Sequence, residues 1–355
     1  MQRSRDHRDR RRQRTVIIVG IAILLVIAGI VVYGFYDEFI GPPRVLAARV
    51  GDTRYTQGDL VKRMRMLQAA SEALGQRLDL GRAPFQVLNS MAEAELIRRA
   101  APSFDVQVPE ADVELALLQR FYPVIPEGQE VQPDQIEREY RENYRSFLSK
   151  SHLSDEDYRK IVEESIYRVK LREKLGELVP SIGEQVEVHW IRLPSAFESQ
   201  GTGPQGPSPE EVLDLLTKND FGGVAGQFST ERRYADEKGY VGWVPKGVFS
   251  SLDETLFGSA EHQPIAHDEI SQPIFTTEGT YILKVTAGPE EREISATMRE
   301  GLKDQALDKW LLEQKDVGGR EGWLEMNFSS DLYSWVNDQV RQTAPRATPP
   351  SSGGR

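Results

Sequence analysis

The chain has 355 residues, 39% of them hydrophobic and 28% charged, which is enough for two ordinary domains with their own cores and excludes a disordered body. Its net charge of -11 is unevenly placed: residues 1–14 hold seven arginines against Asp6 and Asp9, a local +5 that leaves the remainder at -16. So acidic a body excludes binding to DNA or RNA through phosphates, and the lack of cysteine excludes disulfides, thiolate metal sites, cysteine nucleophiles and an acylated lipoprotein anchor.

Of the five histidines, no two have the spacing of a zinc motif; His262 and His267, five apart, fall in a loop-like segment. Neither a metal nor another cofactor is expected.

Residues 1–14 read as a basic cytoplasmic tail, and Thr15 to Tyr36 as a transmembrane helix of 22 residues without a charge. The arginines before it hold the N-terminus inside, so the body is expected outside the cytoplasm on a single-pass anchor. A cleaved signal peptide would need a shorter apolar region and a small-residue cleavage site, whereas Tyr36 is followed by Asp-Glu-Phe-Ile.

Residues 44–183 read as a mainly helical domain. Val45 to Val50 suits a strand and Gly51-Asp52 a turn. Thr56 with Asp59 has the form of a capping box, and Leu60, Met64 and Leu67 give an amphipathic stripe. Leu88, Ala92 and Leu96 mark a second helix, and Val113 and Leu117 a third with Pro109 in its first turn. Ile136, Tyr140, Tyr144 and Phe147 mark a fourth. Ser154 to Asp157 then caps a long helix with Tyr158, Val162, Ile166 and Val169 on one side.

The pattern changes at Glu184. Residues 184–287 read as an α+β domain with a small antiparallel sheet and surrounding helices. VEVHWIRL alternates as a strand, Gly201 to Pro207 is a loop, Pro209 to Asn219 a short helix, Gly239 to Val244 a strand and Thr280 to Val285 a closing strand. Residues 290–343 form a C-terminal helical segment, with Met298, Leu302, Ala306 and Trp310 at helical spacing, expected to return to the helical domain. Residues 344–355 form a disordered tail.

Several blocks within 184–287 stand in the order of one family. They are Val188-His189-Trp190-Ile191, Asp220-Phe221 through Phe228-Ser229, Gly239-Tyr240-Val241-Gly242-Trp243, Asp268 through Ile274, and Glu278-Gly279-Thr280-Tyr281-Ile282-Leu283-Lys284-Val285. Together they resemble the parvulin-type peptidyl-prolyl cis-trans isomerases. Residues 45–178 resemble the N-terminal region of the extracytoplasmic parvulin foldases of the SurA, PrsA and PpiD group, with Val50-Gly51-Asp52 where those have Val-Asn-Gly.

The resemblance implies a membrane-anchored isomerase and chaperone acting on X-Pro segments of unfolded or emerging exported polypeptides. By motif position it assigns His189, Glu231, Thr276 and Tyr281 to a catalytic polar network, and Val241, Phe249, Leu252 and Phe257 to the proline pocket. Tyr281 stands where the family's second histidine belongs, and Tyr240 replaces the acidic or polar residue between the glycines. The loop from Ser195 to Pro207 has no basic residue, against phosphopeptide recognition. Two alternatives stay open: a peptide-binding holdase with weak or no turnover, and a structural partner of an envelope complex. His189 and Tyr281 are expected side by side on neighbouring strands.

Overall fold

The computed structural model describes residues 41–76, 78–125, 132–195 and 206–343. The basic tail, the expected anchor at 15–36 and the C-terminal tail lie outside them. Among the described residues no helix is long and apolar enough to cross a membrane.

Two compact units are present, one formed by the described residues up to Val169 together with those from Glu313, the other by Lys170–Leu312. In the first, β1 (Leu46–Val50) turns at Gly51-Asp52 into β2 (Thr53–Thr56), and both are antiparallel. Gly51 takes φ +61°, the left-handed conformation that glycine adopts without steric cost. β7 (Leu324–Met326) pairs with the other edge of β1, giving the order β2-β1-β7.

Thr56 caps α1 (Gln57–Ala73): its hydroxyl accepts from the Asp59 N–H at 3.3 Å, and the Asp59 carboxylate accepts from the Thr56 N–H at 2.9 Å. Thr56→Ala should lower stability by about 1 kcal/mol in urea unfolding, the usual worth of such a cap. Leu60 and Met64 of α1 are fully buried, packed with Leu88 and Met91 of α2 (Ala83–Ala100) and Leu332, Val336 and Val340 of α11 (Ser330–Thr343).

A second core of this unit joins α3 (Glu110–Phe121), α4 (Pro133–Ser151) and α5 (Asp155–Gly176). Tyr158 lies at its centre, with Phe147 at 4.9 Å and Phe121 at 5.9 Å between ring centroids. Ser154 caps α5, its hydroxyl accepting from the Asp157 N–H at 3.1 Å. Val169, expected on the buried side of that helix, is 59% exposed. It falls eleven residues after Tyr158, three turns of 3.6 on, beyond the part of α5 that packs in this core.

In the second unit, β3 (Ile182–Leu193) is flanked by β4 (Tyr240–Pro245) and β6 (Thr280–Glu293), and β5 (Ile274–Phe275) lies outside β6. All pairings are antiparallel. One face carries Val186, Val188, Trp190, Tyr281, Leu283 and Val285, covered by α9 (Asp253–Phe257) and by Met298 from the start of α10 (Ala296–Glu321). The other carries Ile191, Leu193 and Ile282, covered by α6 (Pro209–Leu216) and α7 (Phe221–Phe228). With both faces of the sheet covered, Trp190, Ile191 and Leu193 are all buried although neighbouring side chains along β3 point to opposite faces.

Candidate active site

The register of β3 against β6 decides which side chains meet. His189 stands opposite Lys284, whereas Tyr281 stands opposite Arg192. Side chains alternate between faces along a strand, so Trp190 and Arg192 share the face of Tyr281, and His189 points to the other. The expected meeting of His189 with Tyr281 does not occur. Trp190 takes that place, its ring centroid 5.4 Å from that of Tyr281 in an edge-to-face arrangement. The imidazole of His189 instead lies 5.1 Å from the ring of Tyr240 and 6.3 Å from that of Phe221 in α7.

Trp190 is the hub of an aromatic cluster. Tyr234, from the short helix α8 (Arg232–Ala235), and Phe249 meet it edge-on at 5.1 and 5.0 Å. Each such pairing places a ring edge against the electron-rich face of another and contributes roughly 0.5–1.5 kcal/mol beyond burial. Trp190 is 2% exposed, and its indole N–H has no hydrogen-bond partner among the described residues.

Beside the aromatics lies a polar group centred on Arg192. Its guanidinium donates to the Thr230 hydroxyl at 2.8 Å and to the Glu278 carbonyl, and it hydrogen-bonds the Tyr281 side chain. The Arg192 backbone N–H donates to the Ser229 hydroxyl at 3.1 Å, and its carbonyl accepts from the Thr230 N–H at 2.8 Å. These bonds tie the Ser229–Glu231 segment to β3 and bring Glu231 to the sheet.

Burial pushes the Glu231 carboxyl above the usual carboxylate range; Arg192 and Arg233 pull it back, and Glu278 adds to the rise. Tyr281 is raised as well, first by burial and then by the Glu278 charge, with Arg192 opposing. Both groups are therefore protonated more readily than in water, beside a fixed cation.

Thr276 is committed to a turn. Its hydroxyl donates to the Gly279 carbonyl at 2.8 Å and accepts from the Glu278 and Gly279 N–H groups at 3.2 and 3.1 Å. That turn presents the Glu278 carbonyl to Arg192. Val241, Phe249 and Phe257 are half-buried against the cluster that holds Trp190 and Tyr281. Leu252, expected to line the pocket, is 1% exposed and fills the core, leaving no surface for a proline ring to touch.

Residues 9–172 match the model of the SurA-like N-terminal domain, and residues 210–287 that of the PPIC-type PPIASE domain. The chain carries a SurA-like domain followed by a parvulin domain. It is homologous to the foldase protein PrsA of Oceanobacillus iheyensis, 26% identical over 213 residues that cover 54% of this chain and 65% of the relative. Among solved structures, PrsA from Streptococcus pneumoniae is similar at 15% identity, covering 82% of this chain and 91% of that one, with a TM-score of 0.33. PrsA from Bacillus anthracis is similar at 12% identity, covering 72% and 96%, with a TM-score of 0.34.

The match to the parvulin domain takes in Glu231, Val241, Phe249, Leu252, Phe257, Thr276 and Tyr281 but begins after β3, so it does not reach His189, Trp190 or Arg192. Of the four residues expected in the polar network, Glu231 and Tyr281 come together, Thr276 supports them through its turn, and His189 is on the opposite face. Sequence reasoning missed Arg192 and Trp190. Arg192 had a signal: an arginine between Ile191 and Leu193 in an apolar strand needs a partner, because an unpaired charge there is costly.

Proposed function

We propose that the protein is an extracytoplasmic peptidyl-prolyl cis-trans isomerase and chaperone for exported polypeptides, held at the membrane by residues 15–36. Homology to PrsA foldases supports this reading, and the aromatic cluster beside Arg192, Glu231 and Tyr281 carries it. Rotation about an X-Pro bond must lower a barrier of about 18–20 kcal/mol that arises from amide resonance. The twisted amide has a pyramidal nitrogen that accepts a hydrogen bond, and its carbonyl has lost conjugation. A site that holds the ring against apolar walls and supplies donors to the twisted state lowers the barrier without covalent chemistry.

In this reading Phe249, Val241 and Phe257 hold the proline ring. Tyr281, kept protonated by burial, supplies a hydroxyl donor, and Arg192 fixes Glu231 and Tyr281 relative to each other. Thr276 acts through its turn. Residues 1–14 stay in the cytoplasm and the clients are unfolded polypeptides with X-Pro segments.

The test is catalysed isomerisation of a proline tetrapeptide by the full chain in detergent. Turnover above background that is lost in Tyr281→Phe supports the reading. Background turnover with retained affinity for an unfolded client would favour a second reading, a holdase whose parvulin domain only binds. The tryptophan–tyrosine pair at the site's base is the observation behind that second reading.

A further inference from the structure

The SurA-like unit holds a cavity of about 390 Å³ between α1 and the C-terminal end of α4, unconnected with the residues assigned above. Arg65, Lys150 and His152 line it together with Gln68, Ala69, Glu72 and Ala73. Four other arginines of this unit contact carboxylates: Arg63 meets Glu164, Arg98 and Arg99 meet Glu95, and Arg168 meets Glu93. Among the described residues, by contrast, Arg65, Lys150 and His152 meet none, and the Arg65 Nε is buried with no hydrogen-bond partner. Burial also lowers the Arg65 pKa, with no anion to offset it.

The buried, unpartnered Arg65 Nε, with the exposed Lys150 and His152 on the same cavity, makes this a place for an anion. Two features select its class. Glu72, which also lines the cavity and is held by a hydrogen bond from the Gln68 amide at 3.0 Å, would repel a dianion such as phosphate more than a single carboxylate. Ala69 and Ala73 offer apolar contact to a short aliphatic neighbour, and a guanidinium matches a carboxylate as a two-pronged donor. We infer that this cavity binds a carboxylate of an unfolded polypeptide, from its chain terminus or an acidic side chain. The inference rests on the reading of the protein as a binder of unfolded chains. It does not depend on turnover at the parvulin domain.

The test is fluorescence anisotropy of the full chain in detergent with three fluorescein-labelled Gly/Ser/Ala peptides: one with a free C-terminal carboxylate, one amidated, and one amidated with a single internal Asp. Binding of the first at least tenfold tighter than the second is expected, and the third tells terminal from side-chain capture. Arg65→Gln and the exposed double variant Lys150→Gln/His152→Gln should each weaken carboxylate-peptide binding tenfold or more. Isomerisation of a proline tetrapeptide should be unchanged in both, which separates loss of this site from loss of the isomerase. If Arg65→Gln does not fold, the double variant alone decides. Equal affinity for free-acid and amidated peptides, or unchanged affinity in the double variant, would overturn the inference. So would displacement of the carboxylate peptide by anionic phosphatidylglycerol vesicles and not by an excess of unlabelled free-acid peptide, since that assigns the cavity to lipid.

Discussion

Arg192→Met should lower kcat/KM for a proline tetrapeptide by roughly a hundredfold, the scale seen when one donor of a preorganised polar site is removed. Methionine keeps an unbranched apolar stem but removes every donor. The bonds to the Thr230 hydroxyl, the Glu278 carbonyl and Tyr281 go together. The Ser229–Glu231 segment keeps only its backbone-side ties to β3, so Glu231 and Tyr281 are no longer held in one geometry. A second readout separates this from plain misfolding. Arg192 favours the ionised form of Glu231, which burial disfavours. Without the cation the carboxyl titrates at higher pH, so the acid limb of the pH–rate profile should move upward. An unmoved limb, or turnover within a few-fold of wild type, would remove Arg192 from the site.

Trp190→Ala should destabilise the parvulin unit by about 3–5 kcal/mol, the range for deleting a large buried aromatic. The loss combines transfer of the indole from water with the cavity left among Tyr234, Phe249 and Tyr281, all of which pack edge-on against it. The same hub sets the aromatic walls, so turnover should fall with stability. Trp190→Phe, which keeps a ring and leaves a smaller void, should recover most of both. The indole N–H has no partner to lose, so its removal carries no hydrogen-bond cost. Guanidinium unfolding of the two variants, with the same probe on the wild type, checks this. An alanine variant within 1 kcal/mol of wild type would mean that the cluster is loosely packed.

Local signals proved legible. The capping pair Thr56 and Asp59, the stripe Leu60 and Met64 and the cap at Ser154 all lie within a few residues of what they determine. The parvulin blocks were legible for the same reason, since each is a short segment with its own turn or strand pattern. Long-range pairing was not. Residues Leu324–Met326 join β1 from a position far along the chain, and three residues carry too little pattern to announce a strand.

The orientation of His189 failed on register. Pairing of β3 with β6 shifts between Gln185 and Glu187 and again between Glu187 and Val188, and with β4 between Val188 and His189. A one-residue difference in register moves a side chain to the other face. The apolar pattern could not arbitrate, because both faces of this sheet are covered and both read as hydrophobic. Leu252 shows a related limit: a leucine at a motif position is equally suited to lining a pocket and to filling the core beneath it, and only its burial separates the two.

If the reacting face of the sheet is that of Trp190, Arg192 and Tyr281, His189→Ala should leave kcat/KM for a proline tetrapeptide nearly intact, measured beside wild type on protein whose circular dichroism shows it folded. His189 points toward Tyr240 and Phe221 on the opposite face, so turnover within about threefold of wild type is expected, the margin left for a small shift of β3 against its neighbours. A loss of thirtyfold or more in a folded His189→Ala variant would return the histidine to the site and move the reacting face to the other side of the sheet.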